Sequence, residues 1–187
     1  IEKERAGSYQ IEVLAKSKEH EVPITLRFQE LRDEQMQPAH GELPFFLQEN
    51  TVIQFLQYPY EQVVAENFVE ILEKMELIND LSCYEEIYGI LKKEALDGRK
   101  VEQQIIEIGT KRELFFGKDR LDTVLHYKDY TYMKRKWTAY LKRERKKEPD
   151  WVEVMTLLEA FFPPVWRAII RDEIFIGDWM PELCRFL

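Results

Sequence analysis

The chain has 187 residues, a formal net charge of −8 and a pI near 5.1; that length can bury a core of its own, and the acidic balance argues against a surface that binds nucleic acid throughout. Its two cysteines, Cys83 and Cys184, make neither a disulfide framework nor a zinc spacing, which suits a reducing cytoplasm. No apolar run reaches the ~18 residues of a membrane span and nothing reads as a signal peptide, so no membrane partner is expected.

From Ser8 to Phe28 the hydrophobic period is two. Tyr9, Ile11 and Val13 alternate with polar residues, and Ile24, Leu26 and Phe28 do the same after a KSKEHE connection, which predicts a hairpin. Pro23 stands at the start of the second strand, where a missing donor is tolerated. Residues 29–50 read as irregular, with Pro38, Gly41 and Pro44 as loop markers. Thr51 to Gln57 reads as a third strand of the same sheet.

The rest reads as helical. Pro59 suits a first helical position and Glu61 the first turn; Val64, Phe68, Ile71, Leu72 and Met75 then form one apolar face. Ser82 with Glu85 has capping-box spacing, and Tyr84, Ile87, Tyr88 and Leu91 supply the buried side of a second helix. Asp97-Gly98 reads as a turn, Val101, Ile105 and Ile108 as a third helix, and Gly109 as its C-cap. Thr110 and Glu113 repeat the capping spacing. A helix is predicted from about Tyr130 to Lys147, with Met133, Trp137, Tyr140 and Leu141 inside. Another starts at Asp150 with Glu153, buries Val154, Leu157, Leu158 and Phe161, and ends at Pro163-Pro164, with an amphipathic turn or two from Val165 to Arg171. The tail IFIGDWMPELCRFL is apolar for a chain end and is expected to pack on the core or to contact a partner. Strands first and helices after make the class α+β: a small N-terminal sheet over 1–58 and a helical bundle over 59–187 packed on it.

The stretch from Leu56 to Lys93 also resembles a known family. Tyr58-Pro59-Tyr60-Glu61 with Ala65-Glu66-Asn67, then Cys83-Tyr84-Glu85-Glu86-Ile87-Tyr88, is similar to the YPxExxxAEK and KDxxDxYxL segments of AbiEii-type nucleotidyltransferase toxins, the toxins of type IV toxin–antitoxin pairs. Further on, Lys136-Trp137-Thr138-Ala139-Tyr140-Leu141, Val154 to Phe162 and Pro163-Pro164 extend the resemblance, which runs from about Tyr9 to Trp166. It implies a nucleotidyltransferase-like fold. For an active protein it implies Mg2+ and a nucleoside triphosphate, held by carboxylates that stabilise charge on the reacting oxygens, and an antitoxin protein or RNA as partner. The chain opens on Ile1 rather than Met, so residues upstream are expected. The family's Gly-Ser…Asp-x-Asp loop would have to lie there.

The framework residues match the family better than its charged ones. Thr25 stands where the family carries a later Asp, and Thr cannot anchor a hard cation; Glu30 and Asp33 nearby read as solvated surface. Asn67 replaces the lysine expected beside the nucleotide phosphates, and a neutral amide binds phosphate weakly. Glu66 is retained. Ser82-Cys83 replaces Lys-Asp, with Glu86 at the second acid by ungapped alignment and Asp80 as the gapped alternative. The resemblance therefore implies Glu66 and Glu86 as catalytic candidates and Asn67 as a nucleotide-binding one. It implies no metal set or cofactor within this chain. Transfer activity then depends on an upstream catalytic loop, and these residues alone read as a degenerate, catalytically silent part or as a protein- or RNA-interaction module.

Lys134, Arg135, Lys136, Lys142, Arg143, Arg145, Lys146 and Lys147 crowd one predicted helix, opposed only by Glu144. Lys134, Arg135, Lys142 and Arg143 are the candidates for phosphate or RNA contact. The plainer reading, a solvated face with cations near a helix C-terminus, is the expectation. His20, His40 and His126 have no spacing that suggests a metal or a triad.

Overall fold

The computed structural model describes all residues except 1, 6–7, 18–19, 30–38 and 45–50; for 2–5, 8–10, 17, 20, 27–29, 39 and 43–44 it describes the backbone alone. Its class is α+β. The chain divides into two compact units, residues 1–37 and residues 38–187.

The first unit is an antiparallel meander of β1 (Glu2–Arg5), β2 (Ser8–Ser17) and β3 (His20–Gln29). The predicted hairpin is there, and β2 and β3 both extend into the stretch read as its connection. Ile11 faces Leu26, Val13 faces Ile24 and Ala15 faces Val22, so one face is apolar. The other pairs Glu12 with Thr25 and Lys16 with Glu21. Pro23 is tolerated because β3 is an edge strand.

The second unit opens with a two-stranded ribbon, β4 (Ala39–Pro44) against β5 (Val52–Gln57). This corrects two expectations. The third strand does not join the first sheet, and part of the stretch read as irregular is a strand. Gly41 sits opposite Phe55, and a Cβ there would lie 2.6 Å from the Phe55 ring. The glycine lets an aromatic ring cover its backbone, while Pro44 stands at the strand end.

Six α-helices follow among the described residues: α1 (Tyr60–Lys74), α2 (Ser82–Leu91), α3 (Gly98–Lys111), α4 (Lys118–His126), α5 (Thr131–Arg143) and α6 (Trp151–Arg171). Three very short strands, β6 (Leu96–Asp97), β7 (Asp178–Met180) and β8 (Arg185–Phe186), form an antiparallel sheet that ties the tail to the segment before α3. No helix among the described residues is long and apolar enough to cross a membrane.

Most of the apolar faces read from periodicity form the core: Val64, Phe68, Ile71, Leu72, Ile87, Leu91, Val101, Ile105, Met133, Trp137, Val154, Leu158 and Phe161 are buried, while Met75, Tyr88 and Ile108 are half-buried against it. Phe68 stacks on Phe162 with ring centroids 3.7 Å apart and meets Trp166 edge-on at 5.8 Å. The tail packs on this core. Trp179 is fully buried, with Phe161 and Phe186 at 5.0 and 5.3 Å. The buried Glu102 accepts a hydrogen bond from the Phe175 backbone N–H at 3.0 Å.

Helix ends depart from the sequence reading in instructive ways. Asp150 caps α6 as expected, accepting from Glu153 N. Asp97, read as a turn residue, caps α3 by accepting from Arg99 N and Lys100 N. Ser82 caps nothing; its own N–H donates to Asp80, and Leu81 is the N-cap residue. Pro59 lies at the N-cap of α1 rather than inside its first turn. Gly109 lies inside α3, where a Cβ would meet the Phe116 ring at 2.5 Å, so it serves a close approach rather than a cap. Glu113 takes the left-handed position after that helix instead, φ 55°, and Thr110 remains helical. Helix α5 ends at Arg143, four residues short of the expectation.

Pro163 and Pro164 do not end a helix; α6 runs through them. They remove the bonds that Glu159 and Ala160 carbonyls would accept. Those two residues are exposed, so water reaches that side, while Phe161, Phe162, Val165 and Trp166 on either side of the pair are buried. Burial of four large side chains outweighs two missing donors.

Phe68→Ala is expected to destabilise the second unit by ~3–5 kcal/mol in urea unfolding, the usual range for a buried aromatic; a loss below ~1 kcal/mol would contradict this packing. Tyr84 is fully buried, its hydroxyl lacking a hydrogen-bond partner among the described residues and its ring edge-on to Trp151 at 5.0 Å. Tyr84→Phe removes an unsatisfied polar atom and is expected to raise stability by ~1 kcal/mol; a loss of similar size would reveal an unrecognised partner.

Candidate functional site

The residues singled out by the resemblance sit mainly on α1 and α2. Asn67 on α1 donates from Nδ2 to Glu86 Oε2 on α2, 2.9 Å away. One turn earlier, Gln62 Nε2 donates to Glu66 Oε1 at 2.9 Å. The structure thus joins Asn67 with Glu86 across the helix pair and holds Glu66 against its own helix. Asp80, the alternative acid, accepts from Ser82 N at the start of α2. Cys83 is buried, and its Sγ donates to the Asp80 carbonyl. Burial, with the Glu70 charge added, pushes its thiol far above the ordinary range and disfavours the thiolate.

Thr25 is exposed on β3, opposite Glu12, in the first unit. Glu30 and Asp33 lie outside the described residues. His126 Nδ1 contacts the Asp122 carbonyl of its own helix. Of the mapped residues, Asn67 is neutral and bonded to Glu86, and Glu66 accepts from an amide of its own helix.

Sequence reasoning missed a set of tyrosine–glutamate pairs that lace the helices together. Tyr140 OH on α5 donates to Glu85 Oε2 on α2 at 2.5 Å, and Lys146 Nζ reaches Glu85 Oε1 at 2.6 Å. Tyr127 OH donates to Glu76 Oε2 at 2.8 Å, and Tyr88 OH to Glu153. Burial, reinforced by the facing carboxylate, raises the pKa of all three phenols, so they remain donors. Pairs 51 to 65 residues apart leave no trace in local spacing.

A cleft of about 340 Å³ between α2, α6 and the tail is lined by Tyr88, Lys92, Glu153, Thr156, Leu157, Ala160 and Cys184. None of Glu66, Asn67 or Glu86 borders it.

The basic residues of α5 and of the segment just after it separate into two groups. Lys136 Nζ donates to the Glu76 and Ile78 carbonyls, Lys146 serves Glu85, Lys134 lies 3.6 Å from Asp129, and Arg143 pairs with Glu144 at 2.9 Å. Arg135 and Lys142 are exposed and take part in no ion pair among the described residues.

No family model, curated protein or solved structure matches the chain.

Burial by itself would raise the Glu85 pKa, but the bonds from Lys146 and Tyr140 outweigh it and hold the carboxyl below its ordinary 4.5. Unfolded Glu85 therefore protonates at higher pH than folded Glu85. Its contribution is present above ~4.5 and lost as pH falls through the depressed folded value. Glu85→Gln is expected to be less stable than the parent by roughly 1 kcal/mol at pH 7, with the gap closing below pH ~4.5 in thermal unfolding. A gap independent of pH would contradict the ionised pairing.

Proposed function

We propose that this chain is the central and C-terminal part of an AbiEii-like, toxin-type protein whose residues here transfer no nucleotides and serve as an interaction module. The observation that carries this reading is the Asn67–Glu86 bond. The groups that the resemblance places beside a triphosphate are used to fasten α1 to α2. Glu66 is engaged as well, by Gln62 of its own helix. The partner is an antitoxin protein or RNA, in a reducing cytoplasm where Cys83 and Cys184 stay free. In a larger protein with an upstream Gly-Ser…Asp-x-Asp loop, this part would support the catalytic layer rather than supply it.

The test is incubation of the chain with each labelled nucleoside triphosphate, magnesium or manganese, and total RNA or candidate protein acceptors. No label transfer is expected. Transfer that disappears in Glu66→Ala or Glu86→Ala would overturn the proposal and return the chain to the active transferases.

A further inference from the structure

We propose that the outward face of α5 binds single-stranded RNA, an inference that rests on the interaction-module reading and names its partner. Tyr132, Arg135, Ala139 and Lys142 follow one another at spacings of three and four, so they share one helix face. All four are exposed. The face is bare because Met133, Trp137, Tyr140 and Leu141 take the opposite side into the core.

Two features set this face apart from an ordinary solvated helix. The first is charge that the fold leaves unused. Lys136 and Lys146 are committed to holding α5 on the rest of the unit, and Lys134 and Arg143 have acidic neighbours. Arg135 and Lys142, with Arg145 and Lys147 just past the helix end, are exposed and unpaired among the described residues. They gather on a chain whose net charge is −8, so a polyanion repelled elsewhere is directed here. The acids on this segment are few: Asp129 beside Lys134, Glu144 beside Arg143, and Glu148 beyond.

The second feature is aromatic. Tyr130 and Tyr132 are 46% and 48% exposed, with ring centroids 5.8 Å apart. Lys136 Nζ lies 5.3 Å from the Tyr132 ring centre. Half-exposed rings, one of them a turn away from the free Arg135, suit bases that stack while phosphates pair with the unpaired charges, whereas an acidic polypeptide would use the charges alone. From Tyr132 to Lys142 the helix rises about 15 Å, the length of about four stacked nucleotides.

Fluorescence anisotropy with a labelled, unstructured RNA of about twelve nucleotides tests this, a length within the sites that single-strand binders cover. Saturable binding is expected at low salt, with log K falling against log salt at a slope of about −2 to −3, as for three or four neutralised phosphates. Arg135→Glu with Lys142→Glu should weaken binding at least ~tenfold and flatten the slope by about 1.4. Tyr132→Ala should weaken it ~5- to 160-fold without changing the slope. Lys118→Ala, on α4, should bind as the parent does. These sites are exposed, and circular dichroism of each variant should match the parent. No saturable binding, or an Arg135/Lys142 variant that binds like the parent, would overturn the proposal. So would an unaffected Tyr132→Ala together with equal competition by polyglutamate, which would identify an acidic polypeptide instead. Label transfer measured on the same samples reads the other reading separately. Transfer with RNA still bound on α5 would overturn the silent-module reading and leave this surface standing.

Discussion

The helical unit depends on where its tryptophans put their N–H groups. All four rings are buried, and each indole N–H donates to a backbone carbonyl of a distant segment: Trp137 to Pro149, Trp151 to Tyr127, Trp166 to Gly117 and Trp179 to Leu91. A buried indole without an acceptor would forfeit much of what its ring contributes. These bonds therefore set which loop lies over which helix. Trp151 holds the segment between α4 and α5, Trp166 the segment before α4, and Trp179 draws the tail onto the end of α2. The aromatic contacts between Phe68, Phe162 and Trp166, and between Trp137 and Trp151, then fill the space that those bonds define.

A second layer of restraint is electrostatic and lies nearer the surface. Glu76, Glu85 and Glu153 each accept from a tyrosine on another element, and Lys136 and Lys146 add donors from α5 and the residues after it. An acidic chain thereby uses part of its negative charge as acceptors for phenols, which carry no opposing charge to desolvate. The Asn67–Glu86 bond belongs to this class of tie. The arrangement also explains why a dense basic run is only partly available to a partner: some of its members hold the bundle, and the rest point away from it.

The ribbons follow a different economy. In the first unit Val13, Val22, Ile24 and Leu26 remain between 41% and 55% exposed despite their regular alternation. In β5, Val52, Ile53, Phe55 and Leu56 are likewise exposed. Their order comes from main-chain pairing and cross-strand contacts, whereas that of the helices comes from a shared interior. A three-stranded meander has one apolar face and no second layer of its own to cover it.

By itself the sequence determined the α+β class, the hairpin, most of the buried faces of the helices and the cap at Asp150. Each of these rests on periodicity or on a side chain bonding within three residues, so the information is local. The tertiary structure decided the rest. It let α6 run through Pro163-Pro164, because buried neighbours on both sides outweigh two lost donors. It gave β5 to β4 rather than to the first sheet, with Phe55 covering Gly41. It fastened Asn67 to Glu86 and divided the cations of α5 into used and free. Those outcomes turn on groups 14 to more than 60 residues apart meeting in space, where burial and hydrogen-bond satisfaction, not local preference, set the free energy.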